Sequence, residues 1–157
     1  MKLASLVRDP RLLRILSLMV GAVFVYASWD KILAPPDFAR IVYHYRLIGP
    51  NAHIGPLPAN MLAVILPWVE LVTGGLLLAG LWRREAALCA AGMLLMFLGA
   101  VSWALLNGID VENCGCFSVG GEGRGAGLML LVTDTLLLAA AALVGAAPDS
   151  DAASPAA

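Results

Sequence analysis

The residues able to do chemistry are few, and two of them stand two positions apart in Cys114-Gly115-Cys116. Two thiols with a glycine between them can close a small disulfide ring, because glycine adopts the backbone angles such a ring needs. Its Cα separation lies near the permitted range, and tight rings of this kind are strained and easily reduced. The ring also encloses little chain, so as a staple it contributes little stability. Both points favour reversible thiol–disulfide exchange, with a static loop staple as the alternative. Glu112 nearby discourages a thiolate and Arg124 favours one. The third cysteine, Cys89, lies in an apolar run and reads as packing.

Two acids, Glu70 and Asp134, fall inside long apolar runs. Acids in a lipid-facing segment are costly and default to functional candidates. Each must be protonated, paired with a cation or opened to a water-filled cavity. The plainer alternative is a protonated acid that hydrogen-bonds between helices. Lys31, at the end of the first apolar run, can reach down toward them. Pro67, three residues before Glu70, frees a backbone carbonyl and can open a small polar cavity.

His44 and His53 are the histidines of this chain, and either can trade protons near neutral pH. Surface decoration is the plainer reading of both. Joined with Cys114 and Cys116 they would make four metal ligands, but their spacing matches no zinc or copper signature, so no metal is expected. No apolar run carries a histidine, which argues against a bis-histidine haem. The run Gly120-Gly121-Glu122-Gly123-Arg124-Gly125 lacks the strand before it and the Lys-Ser/Thr after it that a phosphate loop requires, so it reads as a hinge. Trp29, Trp82 and Trp103 fall near the ends of apolar runs, where aromatic belts sit. Trp68 lies within one and is not explained that way. Lys31, Trp68 and His44 are the candidates to contact a cofactor.

The elements that position these groups follow from composition. Of 157 residues, 61% are hydrophobic and 13% charged, with mean hydropathy +0.86. Soluble domains run near half apolar and a quarter charged, so the chain reads as an integral membrane protein. A net charge of -1 without a basic cluster argues against nucleic acid as a partner.

Four stretches are long enough to cross about 30 Å of hydrocarbon as helices: residues 12–29, 61–82, 86–107 and 127–146. Lys2, Arg8, Arg11, Arg14, Arg83 and Arg84 fall on one side of that arrangement, and Lys31, Arg40, Arg46 and Arg124 on the other. The bias places both termini in the cytoplasm and the loops 30–60 and 108–126 outside. Glu70 and Asp134 then share a layer about 10–14 Å below the outer boundary at 1.5 Å per residue. A signal peptide cleaved after Val25-Tyr26-Ala27 is the competing reading of the first run, disfavoured by its length and by Tyr26 and Trp29.

In the first outer loop, Pro36 is placed to open a short helix. Phe38, Ile41, Val42 and Tyr45 recur at helical spacing with Asp37, Arg40 and His44 opposite, the pattern of a helix lying in the interface. Gly74-Gly75 and Gly92 offer close helix packing. The expected fold is an all-α membrane protein: a four-transmembrane-helix bundle with a short interfacial helix in the first outer loop. Residues 1–147 form one domain, and 148–157, small, polar and acidic, a disordered cytoplasmic tail.

Taken together, the four runs resemble the MauE/DoxX group of redox-associated bacterial membrane proteins. The residues that carry the resemblance are Lys31, Phe38, Tyr45, Pro67-Trp68-Val69-Glu70-Leu71, Gly80-Leu81-Trp82-Arg83-Arg84 and Cys114-Gly115-Cys116-Phe117. It covers roughly residues 14–142. Ser118 follows the CGCF segment where many relatives have glycine, and Thr133 precedes Asp134 where relatives often have arginine.

The resemblance implies a bacterial inner-membrane protein that helps mature the disulfide-rich small subunit of methylamine dehydrogenase alongside a periplasmic thioredoxin-like partner, or that oxidises thiols and hands electrons to quinone. Cys114 and Cys116 would be the redox-active disulfide, and Glu70 and Asp134 the buried polar layer. A non-catalytic assembly subunit with a permanent disulfide, or a small transporter using the acids as a proton or cation site, are the alternatives.

Overall fold

A computed structural model describes residues 9–44, 59–107 and 126–147. They form five helices: α1 (Pro10–Leu33), α2 (Pro35–His44), α3 (Ala59–Ala79), α4 (Arg83–Leu106) and α5 (Ala126–Ala146). α1, α4 and the Met61–Ala79 part of α3 are long and apolar enough to cross a membrane, and α5 carries a shorter apolar stretch, Leu131–Ala146. The helices fall where the hydropathy of the sequence expects them.

Local chemistry sets their ends. Asp9 caps α1, its carboxylate accepting from the Arg11 backbone N–H at 2.9 Å, and Pro10 occupies the first turn, where a missing N–H costs nothing. At the other end, Ala34 N–H donates to the Asp30 carbonyl, and the chain turns directly into α2. α2 opens at Pro35, one residue before the expected Pro36. α3 closes with Gly80 at φ +73 and the Leu81 N–H donating to the Leu76 carbonyl at 3.1 Å, a Schellman arrangement that needs a residue free to turn left-handed. Trp82 also adopts a left-handed conformation, φ 44, and its carbonyl accepts from Ala86 N–H to start α4. Three residues therefore reverse the chain.

α1 packs along α3, and α4 along α5; α3 meets α4 and α1 meets α5 to close the bundle. The register of α1 on α3 is antiparallel: Ser17 Oγ donates to the Leu77 carbonyl at 3.0 Å, Gly21 meets Gly74, and Lys31 meets Glu70. A Cβ on Gly21 would stand 2.9 Å from the Gly74 carbonyl oxygen, and one on Gly74 equally close to that of Gly21, so the two backbones touch. Of the glycines expected to serve packing, Gly74 does so. Gly75 and Gly92 face open space instead, and Gly21 is the partner not foreseen.

The bundle is apolar outside and carries charge inside. Ile15, Met19, Val72, Leu95 and Leu136 are exposed around its girth, whereas Lys31, Glu70 and Asp134 are buried. That is the distribution lipid selects, since hydrocarbon solvates leucine and rejects an unpaired charge. α2 is more than an interfacial helix. Its apolar side, Phe38, Ala39 and Val42, is buried in the hydrophobic core, and Asp37 and Arg40 pair with each other on its exposed side at 3.2 Å.

Candidate functional site

The buried polar residues converge at one level. Lys31, in the last turn of α1, is 1% exposed, and its Nζ donates to both carboxylate oxygens of Glu70, at 2.7 and 2.8 Å. A cation in the last turn also meets the negative end of its own helix dipole. The ring of Phe38 from α2 lies 5.3 Å from the ammonium and that of Phe97 from α4 lies 5.0 Å away, both within cation–π range. Asp134 of α5 is 2% exposed and feels the Lys31 charge. Five helices thus meet here: α1 brings the ammonium, α2, α3 and α4 cage it with Phe38, Glu70 and Phe97, and α5 brings Asp134 into the same layer. The ion pair exists because α1 and α3 are antiparallel and because glycines let them approach closely.

Asp134 differs from Glu70 in one respect. Its Oδ2 is buried with no hydrogen-bond partner among the described residues. Glu70 and Asp134 border a cavity of about 20 Å³, whose remaining wall is apolar, Phe24, Leu94 and Phe97 among it.

Lys31, Glu70 and Asp134 are therefore brought together, as Lys31's reach from the first helix predicts. Trp68 is not with them. It stands 55% exposed on another face of α3, in an apolar groove of about 570 Å³ that also holds Trp82, Glu85 and Cys89. Cys89 is exposed, and its Sγ accepts from Thr73 Oγ1 at 3.6 Å. Lys31 is engaged by both carboxylate oxygens of Glu70, and the groove at Trp68, on another face, has the volume and lining that an apolar ligand needs. His44 closes α2. Cys114, Cys116 and His53 lie outside the described residues, as does the tail 148–157.

Phe97 is the member of the cage that sequence reasoning missed. It stands in the run Leu94-Leu95-Met96-Phe97-Leu98, where any large apolar residue fits and nothing marks one as facing a charge.

The ends of the bundle relate this layer to the cysteine-bearing segment. Because the helices alternate in direction, the C-terminus of α1, the N-terminus of α3, the C-terminus of α4 and the N-terminus of α5 share one end. The segment holding Cys114 and Cys116 leaves α4 after Leu106 and enters α5 at Ala126. Phe97 and Asp134 lie about 12–14 Å along their helices from those exits, at 1.5 Å per residue.

A family model described as methylamine utilisation protein MauE matches residues 9–147. The methylamine utilization protein MauE of Methylophilus methylotrophus is 31% identical over 112 residues, 71% of this chain and 56% of that protein. Its counterpart in Paracoccus denitrificans is 31% identical over 142 residues, 90% of this chain and 72% of that protein. The chain thus spans little more than half of the first relative's length. No solved structure matches it.

Proposed function

Because the chain belongs to the family of methylamine utilisation protein MauE, we propose that it is a four-span inner-membrane helper of thiol–disulfide exchange, with both termini cytoplasmic and the Cys114–Cys116 segment in the periplasm. The observation that carries this reading is the shared end of the bundle: the segment bearing both thiols joins α4 to α5 at the same end at which the last turn of α1 delivers Lys31 to Glu70.

In the proposed reaction a periplasmic thioredoxin-like partner presents a dithiol. One of its thiolates attacks the Cys114–Cys116 disulfide to give a mixed disulfide, and its second thiol resolves that bond. The partner leaves oxidised, and Cys114 and Cys116 hold two electrons and two protons. A quinone-class acceptor, when bound, supplies a two-electron, two-proton sink; the residues of this chain suited to such a ligand line the apolar groove at Trp68. Glu70 and Asp134 are the buried carboxyl groups among the described residues and are suited to hold a proton. The substrate suggested by the relatives' names is a periplasmic enzyme of methylamine utilisation whose disulfides need maturing.

Single-cysteine trapping tests the exchange. Cys114→Ser or Cys116→Ser should accumulate a mixed disulfide with a periplasmic protein, visible as a band that reductant abolishes. If neither variant traps a partner and both cysteines stay oxidised in the native chain under all growth conditions, a permanent disulfide in an assembly subunit replaces this reading.

A further inference from the structure

Asp134 Oδ2 is a buried acceptor with no donor among the described residues, and its side chain borders the small cavity whose other polar wall is Glu70. A water requires about 10–15 Å³ of such space and at least two polar partners. At about 20 Å³ the cavity takes one water and no second.

The charge of the layer is not balanced. Lys31 carries one positive charge, and two ionised carboxylates would leave one negative charge in excess. Among the described residues no other charged group faces it. Asp30 of α1 does not line the cavity, and Asp37 and Arg40 of α2 pair on the exposed side. In α3, Glu70 is the one ionisable residue, and in α5 it is Asp134; α4 has none between Glu85 and Leu106 but Cys89, which borders the groove on the other side. A buried charge without a partner is neutralised rather than tolerated.

The neutralising species is a proton rather than a metal ion. Hard cations take about six or more oxygen ligands. Here both Glu70 oxygens already accept from Lys31, and the rest of the wall is carbon apart from Asp134. We propose that the cavity between Glu70 and Asp134 is a binding site for one water and one exchangeable proton, the proton resting on Asp134 and the water linking it to the Glu70 carboxylate that Lys31 keeps ionised. Uptake of the proton neutralises the layer; its release restores the excess negative charge. This deepens the thiol-exchange reading and rests on it only for the proton's use.

Infrared difference spectroscopy of the full chain in lipid nanodiscs tests the site without any thiol readout. Near neutral pH the wild type should show one protonated-carboxyl C=O band that shifts in deuterium oxide. The band should vanish in Asp134→Asn, which keeps size and shape, and in Glu70→Gln, where Lys31 becomes free to balance Asp134. It should double in Lys31→Met. A buried-water O–H band should shift in heavy-oxygen water. A wild type without the carboxyl band, a band that survives Asp134→Asn, or the lack of a buried-water band overturns the proposal, whether or not cysteine trapping succeeds.

Discussion

Lys31 and Glu70, 39 positions apart in the chain, form a bidentate ion pair that ties the end of α1 to the middle of α3 inside an apolar bundle. Removing one partner breaks a buried pair and forces the charge left behind to be neutralised by a proton or, for Lys31, taken up by Asp134, which costs up to about 3–5 kcal/mol. Lys31→Met and Glu70→Leu should each lower the unfolding midpoint in bicelles markedly. The double variant should recover most of the loss, and a double-mutant cycle measures the coupling. Two additive losses would show that the pair contributes no coupling.

Phe97 and Phe38 cover the ammonium from two sides. Phe97→Leu keeps the apolar volume nearly unchanged but removes the ring, so it should cost about 0.5–2 kcal/mol. Phe97→Tyr, which retains a π face, should cost less. Equal effects of both, read in the same unfolding assay, would count against a cation–π role.

Gly21 and Gly74 set the distance between α1 and α3. Gly74→Val forces a side chain against the Gly21 carbonyl and should destabilise by about 1–3 kcal/mol. Gly75→Ala, one position along and facing open space, should be neutral or stabilise by up to about 1 kcal/mol, because alanine loses less backbone entropy in a helix.

Cys89 serves as the internal control for the thiol chemistry. It is exposed on the groove side, hydrogen-bonded by Thr73. Cys89→Ala should leave trapping by Cys114→Ser unchanged in yield. Loss of trapping in the double variant would move the reactive thiol from the 114–116 segment to α4.

Much of this arrangement is legible in the sequence. The apolar runs located the helices, and acids inside them marked Glu70 and Asp134, because hydrocarbon admits a charge only with a partner. Lys31 was recognisable as that partner because its length lets it reach into the bundle. The helical spacing of Phe38 and Val42 gave α2 its apolar side, but not the fact that this side seals the core. Phe97 and Gly21 were not legible. Each is an ordinary residue in a membrane helix, and its role is created by which neighbour the register puts opposite it. That Trp68 faces a groove apart from the Lys31–Glu70 pair was not legible either, because residues two apart on a helix point in different directions.

The three-residue reversal from Gly80 to Trp82 has a mechanical consequence. With α3 and α4 clasped so tightly at that end, these two helices cannot spread there without breaking the turn. Any breathing that separates them must pivot on this clasp, as the arms of tongs do. The gap would then widen at the opposite mouth, where α3 begins and α4 ends.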